Sequence, residues 1–394
     1  MNQITAVSAR EIKDSRGEPT IEVTLSTGAR VARAAVPSGK SAGSHEAVKL
    51  PVDEALKIMD TIVAPAIVSQ LPRQKNIDEI LLQLDGTADK SKLGGNVMIG
   101  VSVAAARLGA LEKGIPLWRS ISEENNTQPS FPALFMNLIN GGVHADFRLP
   151  FQEYMAVMTD PNPRRAYEAG VAIFAKLGEA IKTKYGTVPM GDEGGYSPLI
   201  ARMKEPFELL NQVCAGQPKT FLAIDAAASE FCKDGTYNLL GLNYTGEKLF
   251  ELYKNLVAQF PLKSIEDPFF EDEAESFKKL TDELGQKILI VGDDLTVTNP
   301  KRIENFIKNQ TANTVIIKPN QIGTLTETYE AVKLAHQAGW KCIVSHRSGD
   351  TNDNFIADLA VGLEIYGLKA GSPLRPERKA KYDRLIEISE KEMV

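Results

Sequence analysis

The sequence has 394 residues, of which 43% are hydrophobic and 24% charged. This is a globular balance, and the length predicts two domains or one large barrel with an additional unit. It contains no run of 18 apolar residues that would predict a transmembrane helix, and we expect no secretory signal at the start. Three widely spaced cysteines exclude a disulfide scaffold and favour free thiols in the cytoplasm. The net charge of −6 argues against nucleic-acid binding.

The first third of the chain predicts an N-terminal α+β domain, residues 1–125. Two alternating apolar runs at 21–25 and 30–36 indicate a β-hairpin. A stretch rich in Gly and Ser at 37–43 predicts a mobile loop. Helical patterns follow at 52–70, 76–84 and 96–113. Hydrophobic periodicity is absent from 122–130, which we interpret as a linker between two domains.

The second part, residues 131–394, repeats one unit in which a short apolar run ends in a polar residue and a helical pattern follows. The ends lie 23 to 41 residues apart, at Asp225, Glu266, Asp293, Lys318, His346 and Lys369. A βα unit needs about 25 to 40 residues, so each run predicts a strand. Further strands are predicted at 152–158 and 188–193, separated by a helix at 164–185.

Eight such strands predict a (β/α)₈-type barrel, an α/β fold whose active site lies at the carboxyl ends of the strands. A doubly wound open sheet is the alternative, but no G-x-G-x-x-G sequence opens any of the helices. The charged run at 375–392 predicts a solvated amphipathic helix.

Three acidic residues end consecutive predicted strands, namely Asp225, Glu266 and Asp293. Any one of them alone reads as an ordinary solvated loop residue. Three that converge without a cation would repel and raise one another's pKa, and a hard divalent cation with oxygen ligands removes that repulsion. No cysteine or histidine nearby argues for zinc, so the pattern predicts Mg²⁺.

The remaining strand ends add a base, an acid pair and an anion site. Lys318, opposite a metal and with other cations nearby, is expected to have a depressed pKa and to serve as a base. Arg347 suits phosphate or carboxylate, while Glu153 and Glu193 form an acid pair. Together these groups favour proton abstraction next to a carboxylate.

A resemblance to the enolase family extends over nearly the whole chain. It is carried by thirteen ordered motifs: DSRGEPTIEV, AAVPSGKSAGSHEA, LDGTADKSKLGGN, NGGVHA, QEYM, GDEGGYSP, AASEF, SIEDPF, VGDDLTVTNPKRI, KPNQIGT, SHRSGDT, FIADLAVGL and KAGSPLRPERKAKY. The resemblance implies Mg²⁺-dependent, reversible dehydration of 2-phospho-D-glycerate to phosphoenolpyruvate, as in glycolysis.

The resemblance also implies roles for single residues. Asp225, Glu266 and Asp293 match the ligands of a first Mg²⁺, and Ser41 matches a loop residue that closes over the substrate and holds a second. Lys318 matches the base that removes the C2 proton, and Glu193, with Glu153, matches the acid at C3. Matches to active-site histidines and to substrate-binding positions complete the set: His144, His346, Gln152, Arg347, Ser348 and Lys369.

Assembly and two alternatives follow from the same resemblance. It implies a homodimer formed through the N-terminal domain, with Glu18 and Arg375 in motifs that resemble the contact. An acid-sugar dehydratase or racemase of the same superfamily would carry Lys-x-Lys where this sequence has residues 190–193, Met-Gly-Asp-Glu. A non-catalytic, enolase-derived binding protein would have lost Lys318, Glu193 or a metal ligand, and all are present.

Overall fold

A computed structural model describes residues 1–39, 45–145, 149–200 and 202–393. The chain begins with a three-stranded antiparallel sheet in the order β1-β2-β3. Its strands are β1 Ala6–Lys13, β2 Pro19–Ser26 and β3 Val31–Ala35. The predicted hairpin is β2 and β3, whereas β1 was not predicted. β1 is an edge strand without a fully buried residue, so it lacks the buried alternation that marks β2.

Helices cover one face of this sheet. They are α1 Val52–Ile58, α2 Ala64–Ile67, α3 Gln74–Asp85, α4 Gly95–Lys113 and α5 Leu117–Asn125. One π-helical turn, Met59–Val63, joins α1 to α2. α4 lies very close to the sheet, because a Cβ added at Gly100 would come within 2.7 Å of Cγ2 of Val23. The helical patterns at 52–70, 76–84 and 96–113 correspond to α1 and α2, to α3 and to α4, respectively.

The segment interpreted as a linker is partly helical, because α5 extends to Asn125. It is also attached to the rest of the chain, because the Thr127 hydroxyl donates to the Gly362 carbonyl over 2.5 Å. Hydrophobic periodicity is lost here because the residues from 123 to 130 are exposed or only partly buried. The domain boundary between 125 and 131 stays a prediction.

The rest of the chain forms a closed barrel with a small three-stranded sheet inserted after its third strand. The strands are β4 Ala133–Asn140, β5 Glu153–Met158, β6 Thr220–Asp225, β7 Cys232–Lys233, β8 Thr236–Leu239, β9 Leu242–Tyr244, β10 Leu262–Glu266, β11 Leu289–Gly292, β12 Thr314–Ile317, β13 Lys341–Ser345 and β14 Gly367–Lys369. The helices are α6 Pro163–Tyr185, α7 Glu205–Cys214, α8 Gly246–Gln259, α9 Ala274–Leu284, α10 Pro300–Lys308, α11 Pro319–Ile322, α12 Leu325–Gln337, α13 Phe355–Gly362 and α14 Pro376–Glu387.

The predicted barrel is confirmed, with the strand order β10-β11-β12-β13-β14-β4-β5-β6. One predicted strand is wrong: residues 188–193 form a turn and loop, and the missing barrel strand is β4. Pro189 cannot donate to a ladder, and Gly191 lies against Asn140, where an added Cβ would be 2.5 Å from the Asn140 Cβ. β4 is apolar and buried over most of its length, so no alternation marks it.

The barrel departs from an all-parallel sheet at β5, which is antiparallel to both β4 and β6. Its first residue, Glu153, therefore lies opposite Asp225, the last residue of β6. The amino end of β5 thus joins the rim formed by the carboxyl ends of the parallel strands. None of the helices in the described part of the chain is both long and apolar enough to span a lipid bilayer.

Candidate active site

One polar pocket lies at this rim, above an apolar cluster inside the barrel that includes Phe135, Met155, Val291 and Ile316. The residues predicted for the site that line the pocket are His144, Gln152, Glu153, Glu193, Asp225, Asp293, Lys318, His346, Arg347, Ser348 and Lys369. They come from strand ends and from three loops. The barrel therefore brings together residues that are up to 225 positions apart in the sequence.

Lys369, at the end of β14, connects three of the predicted acids. Its Nζ lies 2.9 Å from Oδ2 of Asp225, 2.8 Å from Oε2 of Glu266 and 3.1 Å from Oε1 of Glu153. Burial lowers the pKa of Lys369, but the surrounding carboxylates outweigh this and hold it well above its usual value. The ammonium group thus compensates the carboxylates that crowd this side of the pocket.

Lys318 follows β12, and its Nζ contacts Oδ2 of Asp293. Burial lowers the pKa of Lys318, but the Asp293 carboxylate outweighs it, so the pKa lies above its usual value. The depressed pKa was expected for a lysine opposite a metal ion, so it stays a prediction for the metal-bound site. The nearby charges of Arg347 and Lys369 act in the expected direction, and the direct contact with Asp293 exceeds them.

Glu193 belongs to the loop that was predicted as a strand. Its Oε2 accepts a hydrogen bond of 2.8 Å from Nδ2 of Asn137 on β4. Its Oε1 lies 3.6 Å from Nδ1 of His144 and 3.6 Å from Nε2 of His346. The loop is held on the rim by Asn140, whose Oδ1 accepts from the backbone N–H of Gly195 over 2.9 Å.

The two glutamates of the predicted acid pair lie in different electrostatic surroundings. Burial raises the pKa of Glu153 well above its usual value, and the charge of Glu193 adds to this. Burial also acts to raise the pKa of Glu193, but the electrostatic interactions with His346, His144, Arg378 and Lys369 outweigh it and lower the pKa. One oxygen of each carboxyl group lies within 4.8 Å of the other.

Arg347 supplies the cationic side of the pocket. Its NH1 and NH2 donate to both oxygens of Glu46, over 2.9 and 3.0 Å. The loop behind it is held by Arg378, which donates to the carbonyl oxygens of Arg347 over 2.5 Å and Ser348 over 2.7 Å. The same Arg378 donates to Nδ1 of His346 over 2.6 Å. Burial, together with Arg378, keeps the pKa of His346 well below its usual value.

Several residues at this site were not predicted as site residues. Asp267 accepts from the backbone N–H groups of Asp293 and Asp294, each over 2.9 Å, and oxygens of these three acids lie within 4.8 Å of one another. Asp267 and Asp294 directly follow predicted ligands, which was a usable signal. Arg378 lies in the run interpreted as a solvated helix, yet its side chain is fully buried. Ser41 lies outside the described residues.

The acids predicted as metal ligands suit a hard divalent cation, although Glu266 is not among the residues that line the pocket. Asp225 and Glu266 end β6 and β10, and Asp293 directly follows β11; all three are buried and offer oxygen donors of the kind such cations prefer. Burial and the charges of Asp225 and Asp293 raise the pKa of Glu266 well above its usual value, which reflects crowding of negative charge. Burial and the charge of Asp293 raise the pKa of Asp294 to about 8.

Comparison with known proteins gives a single family. A model described as "Enolase, C-terminal TIM barrel domain" matches residues 128–393, and one described as "Enolase, N-terminal domain" matches residues 4–121. The chain is 45% identical to "Enolase" of Methanopyrus kandleri over 412 aligned positions, which cover 99% of this chain and 96% of the relative. It is 43% identical to "Enolase B" of Dictyostelium discoideum over 418 positions, which cover 98% and 94%.

Proposed function

Because the chain belongs to the enolase family, it is a phosphopyruvate hydratase, and we propose that its reaction takes place in the pocket at the barrel rim. The reaction is the reversible dehydration of 2-phospho-D-glycerate to phosphoenolpyruvate in glycolysis or gluconeogenesis. The observation that carries the assignment is the convergence of Lys318, Glu193 and Arg347 on one pocket with the acids. These are a base, an acid and an anion site.

The family binds a divalent metal, and we propose Mg²⁺ held by Asp225, Glu266 and Asp293. Ser41 would hold a second Mg²⁺ together with the phosphate. When bound, these ions would stabilise the negative charge that develops as a proton leaves the carbon next to a carboxylate. Carboxylate oxygens on rigid strand ends favour such binding because they are already oriented.

The protein's own groups would then perform the proton transfers. Lys318 removes the proton from C2, and Glu193, with Glu153, protonates the hydroxyl group that leaves C3. His144 and His346 both lie 3.6 Å from Oε1 of Glu193 and would orient its carboxylate. Both roles are supported by burial, because the glutamates and histidines are buried and the Lys318 side chain is only 14% exposed.

Substrate binding falls to the polar and cationic groups of the same rim. Arg347 offers a planar guanidinium group that suits the phosphoryl group, and we assign Ser348 and Ser41 to the same group. Lys369 and Gln152 also line the pocket, and we assign the substrate carboxylate to them. We also propose a homodimer as the minimal unit. We propose a cytoplasmic location as well, because the three cysteines are free thiols.

A coupled measurement tests this assignment. Phosphoenolpyruvate formed from 2-phosphoglycerate is followed by absorbance, with Mg²⁺ and with excess chelator. We expect turnover with Mg²⁺ only, and loss of turnover in Asp293→Ala with a near-unchanged circular dichroism spectrum. Mg²⁺ should also raise the thermal midpoint of the parent, because a ligand that binds only the native state stabilises it. Turnover that persists in excess chelator contradicts the metal assignment.

A further inference from the structure

Gln321 is a buried amide between the metal side and the cationic side of the pocket, and only 1% of its surface is exposed. It lies in α11, the single turn that follows Lys318. Its Nε2 donates to Oδ1 of Asp293 over 3.0 Å and to Oε1 of Glu46 over 3.4 Å. One amide group therefore contacts both a proposed metal ligand and the carboxylate that holds Arg347.

The other end of the amide is held by Thr298, whose hydroxyl donates to Oε1 of Gln321 over 2.8 Å. The same hydroxyl oxygen accepts a hydrogen bond of 2.9 Å from the backbone N–H of Lys318. Thr298 and its neighbour Val297 have φ values of 56° and 45°. These lie in the left-handed region, which is costly for β-branched residues and is retained mostly at functional sites.

An amide is the group that these partners require. It accepts one hydrogen bond from the Thr298 hydroxyl and donates two to carboxylate oxygens, so all three contacts match its donors and acceptor. A glutamate would place a third carboxylate between Asp293 and Glu46. An apolar side chain of the same length would leave Oδ1 of Asp293 without this donor.

The backbone of Gln321 adds a second connection to the N-terminal part of the chain. Its carbonyl oxygen accepts a hydrogen bond of 2.8 Å from the N–H of Ala47. Because Nε2 of Gln321 also donates to Glu46, residues 46 and 47 are attached to α11 at two points, and Glu46 in turn forms the two-pronged ion pair with Arg347. A change at Gln321 therefore affects the placement of Arg347 as well as that of Asp293.

We propose that Gln321 is a positioning residue that orients the Asp293 carboxylate for the metal ion and the Glu46–Arg347 pair for the phosphoryl group. The inference rests on the proposed metal site at Asp293. Partners that orient a metal ligand typically contribute about 10- to 100-fold to metal affinity or activity. Metal binding and substrate binding then both depend on the same amide.

The test measures binding of Mg²⁺ alone by isothermal titration calorimetry, without substrate. In Gln321→Met, which keeps the length and removes the polar groups, we expect the Kd for Mg²⁺ to rise by about tenfold or more. The KM for 2-phosphoglycerate should rise as well. An Mg²⁺ Kd equal to that of the parent overturns the positioning role, whatever happens to turnover.

A second pair of variants separates positioning from folding. Thr298→Val removes the hydroxyl and keeps the shape, while Thr298→Ser keeps the hydroxyl. We expect weaker Mg²⁺ binding in Thr298→Val and near-parent binding in Thr298→Ser. The matched control is Thr328→Val on α12, which removes a buried hydroxyl that donates to the Thr324 carbonyl over 2.7 Å and should leave the Kd unchanged. If Gln321→Met does not fold, the test rests on Thr298→Val and Thr298→Ser. An equal Kd for Mg²⁺ in these two variants overturns the inference.

Asp293→Ala distinguishes this inference from the proposed function. If the parent and Asp293→Ala give the same Mg²⁺ isotherm, the metal site itself is wrong, and the inference is overturned with it. If the parent binds Mg²⁺ and Asp293→Ala does not, while Gln321→Met binds like the parent, only the positioning role is overturned.

Discussion

Glu153 and Glu193 lie in the same pocket, yet their pKa values shift in opposite directions. Burial raises the pKa of Glu153, whereas interactions with His346, His144, Arg378 and Lys369 lower that of Glu193 in spite of its burial. Two carboxyl groups this close do not both ionise readily, and the opposite shifts favour the protonated form at Glu153 and the ionised form at Glu193. The proposed acid is thus the pair of carboxyl groups.

Isotope exchange separates the base from the acid. Lys318→Ala should lose both dehydration and exchange of the C2 proton with solvent, because both require removal of that proton. Glu193→Gln should lose net turnover and keep measurable exchange at C2, because a stepwise reaction can return from the carbanion to substrate. Proton NMR of 2-phosphoglycerate in D₂O measures both.

The glutamine variant is well matched to the site, because its side-chain oxygen can still accept from Nδ2 of Asn137. Lys308→Ala, which removes an exposed lysine on α10, serves as the control for lysine loss. Equal exchange in Lys318→Ala and Glu193→Gln, or loss of exchange in Glu193→Gln alone, contradicts the assigned roles.

Among the elements, α12 has a first turn that is hydrogen-bonded to side chains from the N-terminal part of the chain. The N–H of Leu325 donates to the Ser102 hydroxyl over 3.0 Å, and the N–H of Thr326 donates to Oδ2 of Asp78 over 2.8 Å. The first N–H groups of a helix have no acceptor within that helix, so side chains of α3 and α4 supply the acceptors for the first turn of α12. The contact holds α12, and with it the α11 turn next to Lys318, against the N-terminal helices.

Asp78 makes this contact dependent on pH. Burial raises its pKa from the usual 3.8 to about 6, so the folded protein holds this proton more tightly than the unfolded chain does. The contribution of Asp78 to the free energy of unfolding is therefore largest below pH 4 and is lost as the pH rises through 6. The loss amounts to about 3 kcal/mol at neutral pH.

Asp78→Asn cannot ionise and keeps an acceptor for Thr326. Its free energy of unfolding, relative to the parent, should increase from pH 4.5 to pH 7, as measured by denaturant titration at several pH values. Asp60→Asn, a change at an exposed acid, should show no such trend. A constant difference between Asp78→Asn and the parent over this range contradicts the assigned pKa shift.

At the level of the whole molecule, two loops next to Arg375 expose large apolar side chains. Met190, Leu199 and Leu374 are 50%, 76% and 55% exposed. They lie on two loops that touch, because a Cβ added at Gly194 would be 2.3 Å from Cγ of Arg375. Exposed apolar side chains on adjoining loops favour an interface between copies of the chain. One of these loops carries Glu193, so assembly would also brace the pocket.

We expect sedimentation to show a homodimer at micromolar concentration. Glu18 and Arg375 carry opposite charges, so Arg375→Glu should weaken the dimer by placing like charges together. Adding Glu18→Arg to that variant should restore part of the affinity. A parent that sediments only as a monomer contradicts the prediction, and a double variant no better than Arg375→Glu excludes this particular pair.

The strand ends show how far the sequence alone could go. Asp225, Glu266, Lys318 and Lys369 were predicted at the rim because an apolar run followed by one polar residue is a local pattern, and the structure places each at a strand end. The strand β5 was predicted but its antiparallel direction was not, and the loop from 188 to 193 was predicted as a strand. The direction of β5 is set by pairing with β4 and β6, and the loop is held by Asn140, at least 48 residues before it.

The sequence by itself determined the class of fold, the repeated βα units, the rim residues and the family, because these depend on short-range patterns and on motif order. Only the tertiary structure decided which groups neutralise one another. Lys318 has a raised pKa since Asp293 touches it, Arg378 is buried behind the His346 loop, and Gln321 joins two parts of the pocket. Such contacts join residues that are far apart in sequence, and charge acts through space, so no local pattern determines them.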